Sequence, residues 1–429
     1  MAMPVTVLAA VRGAAETEVV LALGAPGSGA TVTRRCGDVV ELLAAAAAGA
    51  GTVAVVSGDL PGIDRETVAR LHGAGVRVVA LDDGHGSDRL RALGVDAVLD
   101  WAATPGAAGL VEAVREAAGG HAAEHASDAS GDPDRGAPEL ERPGRLVAVW
   151  GPVGAPGRTT VALELAAELA GLAGRPGRRT RRGRHVDAPE APGSVLLVDA
   201  DTYGSSLAMR LGLLDDAPGL AAACRAAGQG ALDVAALARQ SPVVAPGLRV
   251  LTGITRAARW PEVPASGLEV VLDRARGLAA WTVVDTAAPI EADELLMYDT
   301  HAPQRNAATL TALAAANDVV VVGAADPVGI QRLVRALEEL REAPVPVPAP
   351  AAVVVTRARA SAVGPRPEAA VREAMARYAG LDDVVVVPDD AAALDGATLA
   401  GRSLAEHAPT SPARTALVGL AGRLRERVG

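Results

Sequence analysis

The chain contains no lysine and no phenylalanine, and only three tyrosines and four tryptophans among its 429 residues. Without lysine all 41 basic side chains are arginines, a bias that a GC-rich coding sequence explains more simply than selection at single sites. No step that needs a lysine ammonium can proceed here without a partner, and arginine is not a free substitute for it. The shortage of aromatics leaves Ala, Val and Leu to build the cores, which suits helices packed on Val-rich parallel strands. Cysteine is nearly absent too. Cys36 and Cys224 stand far apart, outside any metal or redox spacing, so a reducing compartment is expected. Positive charge is in deficit, with a formal net charge of −10, which argues against a chain that coats nucleic acid and leaves room only for a local basic patch. The opening MAMPVTVLAAVRG lacks a charged start followed by an apolar core, and no later run is long enough to span a bilayer. The expected location is the cytoplasm.

What is present is alternation. From Val5 to Ala118 five short β-type runs (Val5 to Val11, Ala30 to Cys36, Thr52 to Ser57, Val76 to Leu81, Asp96 to Trp101) alternate with helical runs. Five such units predict a small doubly wound sheet. Residues 119–144 are poor in large apolar side chains and read as a linker. From Arg145 onward the alternation resumes with longer Val and Leu runs, interrupted at 174–193 by an insertion carrying Arg175, Arg178, Arg179, Arg181, Arg182 and Arg184. The expected domains are thus 1–118, a linker at 119–144, and 145–429 with its Arg-rich insertion.

The order and size of the first domain resemble a response-regulator receiver. Ser57 stands at the phosphoacceptor position, Val11 and Arg12 stand where receivers place paired acids, and no lysine follows the fifth strand. Phosphotransfer needs those charges to hold a metal and the phosphoryl oxygens. The domain is expected to be a pseudo-receiver used for docking, with Asp59 as the residue on which activity would otherwise rest.

The segment Leu146 to Trp150 is a hydrophobic strand, Gly151 to Gly157 a Gly/Pro loop, and Arg158, Thr159 and Thr160 open a helical run. Strand, loop and helix N-terminus in that order make a phosphate-binding layout: loop amides face an anion, and the first threonine hydroxyl reaches Mg²⁺. Two further hydrophobic strands end in acids, one at Asp199 and Asp201, the other at Asp285. One such acid alone is commonly a helix cap.

These motifs, in this order, resemble the MinD/ParA family of deviant P-loop ATPases. Gly154, Gly157, Thr159 and Thr160 match the family loop GKGGxGKTT directly; Arg158 stands at the phosphate-binding lysine and Val153 at the lysine that reaches across a nucleotide-sandwiched dimer. Pro152, Ala155 and Pro156 depart from it, and each proline removes an amide donor. The resemblance implies a SIMIBI-type P-loop NTPase fold, with ATP and Mg²⁺ as ligands. It implies a cofactor cradle from Gly154, Ala155, Gly157, Arg158, Thr159 and Thr160, with Thr356 and Arg357 near the base. It implies Mg²⁺ held by Thr159, Asp199 and Asp285, and Asp201 with Arg158 in catalysis. Because both family lysines are missing, hydrolysis is expected to be weak.

A pseudo-receiver joined to such a domain resembles the CpaE/TadZ pilus-assembly proteins and the septum-site-determining MinD-like proteins. That resemblance implies a homodimer that positions a pilus, secretion or division apparatus, recruited to membrane or cell pole through partners. One alternative is an active ATPase cycling on DNA or membrane; another is a nucleotide-free scaffold. The C-terminal run 413–428 is expected to pack on the second domain rather than seek a lipid surface.

Overall fold

The computed structural model describes residues 4–84, 86–101, 107–119, 143–172, 194–213, 218–292 and 303–427. Most of the linker at 119–144, all of the Arg-rich insertion, and His85, His121, His125 and His301 lie outside the described residues. The chain divides into two compact units, Met1–Gly136 with Ala226–Ala231, and Ala137–Arg225 with Leu232–Gly429.

The first unit holds β1 (Val5–Ala10), β2 (Ala30–Arg35), β3 (Val53–Ser57), β4 (Arg77–Asp82) and β5 (Ala97–Asp100). All pair in parallel, in the order β2-β1-β3-β4-β5, the flavodoxin-like doubly wound arrangement. Alternate strand residues face opposite sides, which separates the apolar core into two layers. Leu8, Ala54 and Val78 lie in one layer, and Val7, Val55 and Val79 in the other. Asp38 and Asp64 start the next helices by accepting the amides of Glu41 and Thr67, each at 2.8 Å. Ser57 is buried at the end of β3, its hydroxyl accepting the Arg12 amide at 2.9 Å. Arg12 pairs with Asp59 at 3.2 Å, both side chains more than half exposed, so this pair adds little stability.

The second unit is built on β6 (Arg145–Trp150), β7 (Val195–Ala200), β8 (Val243–Ala245), β9 (Leu248–Leu251), β10 (Trp281–Thr286), β11 (Asp318–Ala324), β12 (Pro350–Ala358) and β13 (Val385–Pro388). Their order is β13-β12-β11-β6-β10-β7-β9-β8, with only β8 antiparallel. The α/β class read from the sequence is therefore observed, with β8 as an added edge strand.

Successive connections diverge at the middle of this sheet. From β6 the chain goes to β7 on one side, and from β10 it goes to β11 on the other, while β6 and β10 are neighbours. That reversal opens a crevice beyond the C-terminal ends of the strands. The helix Arg158–Leu169 leads out of this crevice and is buried from Val161 to Leu169. The C-terminal helix Pro412–Glu426 packs on it through Leu417, Leu420 and Leu424, and the Arg414 fork closes on Glu168 at 2.6 and 3.1 Å. No helix among the described residues is long and apolar enough to cross a membrane.

Candidate functional site

The loop after β6 is shaped by close backbone approach. A Cβ at Gly151 would strike the carbonyl oxygen of Val322 on the adjoining β11, so only glycine lets the chain turn there. Gly154 and Gly157 have φ of +74° and +107°, conformations that L side chains rarely adopt. Between them the amide of Ala155 bonds the Pro152 carbonyl at 3.0 Å.

The loop ends at the N-terminus of Arg158–Leu169, where no side chain caps the helix. The first intrahelical amide bond runs from Val161 to Gly157 at 2.8 Å. The amides of Arg158, Thr159 and Thr160 therefore have no partner within the helix, and the positive end of its dipole lies at the loop.

Three arginines surround this turn. Arg158 folds back on the loop, donating to the carbonyls of Gly151 and Pro152 at 3.3 and 3.2 Å, with its other terminal nitrogen 3.9 Å from an Asp201 oxygen. Expected to contact phosphate, it is engaged here by acceptors of the protein itself. Arg210 donates to the Thr160 hydroxyl at 3.2 Å. Arg332, from the helix Pro327–Arg341, lays its guanidinium against Gly154. Val153, at the position of a family lysine, is 67% exposed at the loop tip.

The acids divide sharply in their bonding. Asp199 accepts the amides of Asp201, Ser206 and Leu207 at 3.3, 3.0 and 3.0 Å. It holds the turn after β7. Asp201 accepts the amides of Tyr203 and Gly204 with one oxygen, both at 2.9 Å, and turns the other toward Arg158. Asp285 differs: it is 1% exposed, its carboxylate oxygens take no backbone amide, and the Thr159 hydroxyl is the hydrogen-bonding side chain beside it.

Register explains the electrostatics. Asp285 on β10 pairs with Asp199 on β7, which places two carboxyl groups side by side in a dry sheet end. Burial, then the neighbouring Asp199, raises the Asp285 carboxyl well above the usual carboxylate range, while Thr159 beside it acts in the opposite direction. Burial likewise pushes Asp199 up to about 6, against the amides that favour its charge. No group of three or more acidic, histidine or cysteine side chains among the described residues is arranged to hold a metal.

Thr356, at the C-terminal end of β12, was expected near a base. Its hydroxyl instead donates to the carbonyls of Pro156 at 2.8 Å and Gly323 at 3.0 Å. The residue secures the loop. Arg357 is exposed with φ +58°, an unusual backbone state for a non-glycine residue. Next to it lies an open cavity of about 480 Å³ whose lining includes Arg366, Val386, Pro388 and the ion pair of Glu368 with Arg372. The sequence reading missed Arg210 and Arg332, because neither belongs to a motif.

No family model and no curated protein matches the sequence. Among solved structures, a ParA family ATPase from Chlorobium tepidum TLS covers 65% of this chain and 98% of its own, at 16% identity with a TM-score of 0.50. That share exceeds what the first unit holds, so the likeness falls mainly on the second. The second unit has a ParA-type fold. Similar matches are the cell division ATPase MinD of Pyrococcus furiosus (19% identity, 66% and 99% coverage, TM-score 0.48) and the septum site-determining protein MinD with Mg-ADP from Pyrococcus horikoshii OT3 (19%, 66% and 97%, 0.46). In the ParA-type fold of this chain, the loop 151–157 and Asp201 follow, and Asp199 and Asp285 lie at, the C-terminal ends of the three adjacent strands β6, β7 and β10.

Proposed function

We propose that the second unit seats a magnesium nucleoside triphosphate, ATP in the simplest case, on the 151–160 loop. The observation that carries this is Asp285, a buried carboxyl that takes no backbone amide and has only the Thr159 hydroxyl toward it at an uncapped helix N-terminus. A buried polar group left unsatisfied is costly and asks for a partner. A hydrated cation supplies one, and the helix amides suit the phosphates that accompany it. The residues fit such a ligand through Asp285, the Thr159 hydroxyl, and the amides at 157–160. When bound, Mg²⁺ would neutralise charge on the phosphate oxygens. Thr356 fixes the loop.

Hydrolysis is weak in this reading. Arg158 must leave the Gly151 and Pro152 carbonyls before it can grip a phosphate, and Asp201 has one oxygen bound to two amides. Nucleotide occupancy then biases a homodimer that positions a pilus, secretion or division apparatus, and the first unit is a receiver-like docking domain from 1 to 118. DNA and membrane are weaker partners for a chain of charge −10. Calorimetry with Mg-ATP on wild type and Arg158→Ala, with sedimentation of both, tests the reading. It expects a magnesium-dependent heat and a shift in oligomeric state in the wild type. Phosphate release unchanged by DNA or anionic vesicles separates it from a cycling ATPase.

A nucleotide-free scaffold is favoured by one observation, the pairing of Arg158 with its own loop. A wild-type chain that gives no heat with Mg-ATP and no change in melting would support that reading.

A further inference from the structure

Arg332 occupies a place that sequence motifs do not mark. Strand β11 is hydrogen-bonded to β6, so the turn leaving β11 emerges beside the loop leaving β6. Asp326 caps the next helix by accepting the Gly329 amide at 2.9 Å, and Gly329 lies so close to Ala324 that a Cβ would come within 2.5 Å of its carbonyl oxygen. The first turn is therefore fixed against the sheet, and Arg332 follows on the side of the loop. Its guanidinium rests where a side chain at position 154 would begin.

Unlike Arg158 and Arg210, this arginine has no hydrogen bond or ion pair with any described residue. An unpaired guanidinium held against a loop that already carries Arg158 and the positive end of a helix is a like-charge arrangement. An anion arriving at that loop relieves it. The loop itself has Val153 where a second cationic side chain would stand, and Arg158 is held by the Gly151 and Pro152 carbonyls, so a further cation comes from another element.

We propose that Arg332 is the cation that grips the terminal phosphate of the bound nucleotide, making the loop select triphosphate over diphosphate. This rests on the nucleotide-binding reading above. Its planar fork suits two phosphate oxygens, and Gly154 lets it approach the loop backbone.

The test is titration of wild type, Arg332→Ala, Arg332→Lys and the same-helix control Arg335→Ala with Mg-ATP and Mg-ADP, alongside melting curves. Arg332→Ala is expected to melt like wild type, because the side chain is exposed, and to lose about tenfold or more in ATP affinity with a much smaller loss for ADP. Lysine restores part of the ATP preference, and Arg335→Ala leaves it intact. If wild type binds Mg-ATP and Arg332→Ala keeps the same ratio of ATP to ADP affinity, the inference is overturned and the nucleotide site stands. If wild type binds neither nucleotide, both fall.

Discussion

The hydroxyl of Thr356 reaches from the end of β12 to the Pro156 carbonyl, 2.8 Å away, while also donating to Gly323 on the strand between. A loop that leaves β6 is thereby tied to a strand two places along the sheet. The methyl group of the same threonine lies 3.2 Å from where a Cβ would stand on Gly157, so one side chain fixes both the polar and the steric limits of the turn.

Thr356→Val keeps the shape and removes the single O–H that the Pro156 and Gly323 carbonyls share. It is expected to destabilise the protein by about 1–3 kcal/mol, read as a lower denaturation midpoint at unchanged slope. An unaltered midpoint would mean that the hydroxyl does not anchor the loop.

Gly157→Ala meets two obstacles, a φ of +107° and the Thr356 methyl. The turn must move to accept it. Loss of Mg-ATP binding is expected in a chain whose circular dichroism spectrum remains that of a folded α/β protein, and retained wild-type affinity would show that the turn is not the seat.

Glu164, on the loop helix, is buried, and its carboxylate accepts the Leu404 amide at 2.8 Å. Burial pushes its pKa up from 4.5 to about 8, more than the Leu404 amide lowers it. Below about 4.5 the folded and unfolded states both hold the proton; as pH rises toward 8 the unfolded chain releases it and the native state does not. Stability from this group is therefore lost between those values, by an amount on the order of a few kcal/mol. Glu164→Gln should melt above wild type by a margin that grows from pH 5 to pH 8. A constant margin across that range would contradict the assignment.

The Arg414 to Glu168 pair is 14% and 6% exposed at its side chains, and it joins the C-terminal helix to the loop helix. Removing the cation strands a buried carboxylate. Arg414→Ala is expected to cost roughly 3–5 kcal/mol, and the loss should shrink if Glu168 is also changed to Gln. Additive losses in that double-mutant cycle would show that the pair is not coupled.

Strands in the middle of the sheet were legible because they are unbroken Val and Leu runs covered on both faces, and Asp199, Asp201 and Asp285 follow such runs directly. β8 was not, since three residues of an antiparallel edge leave no periodicity to read. The roles around the loop were harder. Sequence order puts Arg158 at the phosphate, but only the fold reveals that the Gly151 and Pro152 carbonyls and Asp201 compete for its guanidinium. Thr356 reads as a base contact until β12 is placed two strands from β6, and Arg332 reads as one exposed residue of an amphipathic helix until β11 is seen beside the loop. The Thr356 contact joins positions 200 residues apart, and no local pattern encodes it.

The most direct measurement is thermal melting of wild type and Asp285→Asn with Mg-ATP, with ATP plus a chelator, and without ligand. The account predicts that Asp285→Asn melts higher than wild type without ligand, because a buried unpaired acid has been neutralised. It predicts that only wild type gains stability with Mg-ATP, about 2.7 kcal/mol at a hundredfold excess over Kd. Wild type unmoved by saturating Mg-ATP, or an equal gain in both proteins, would contradict it.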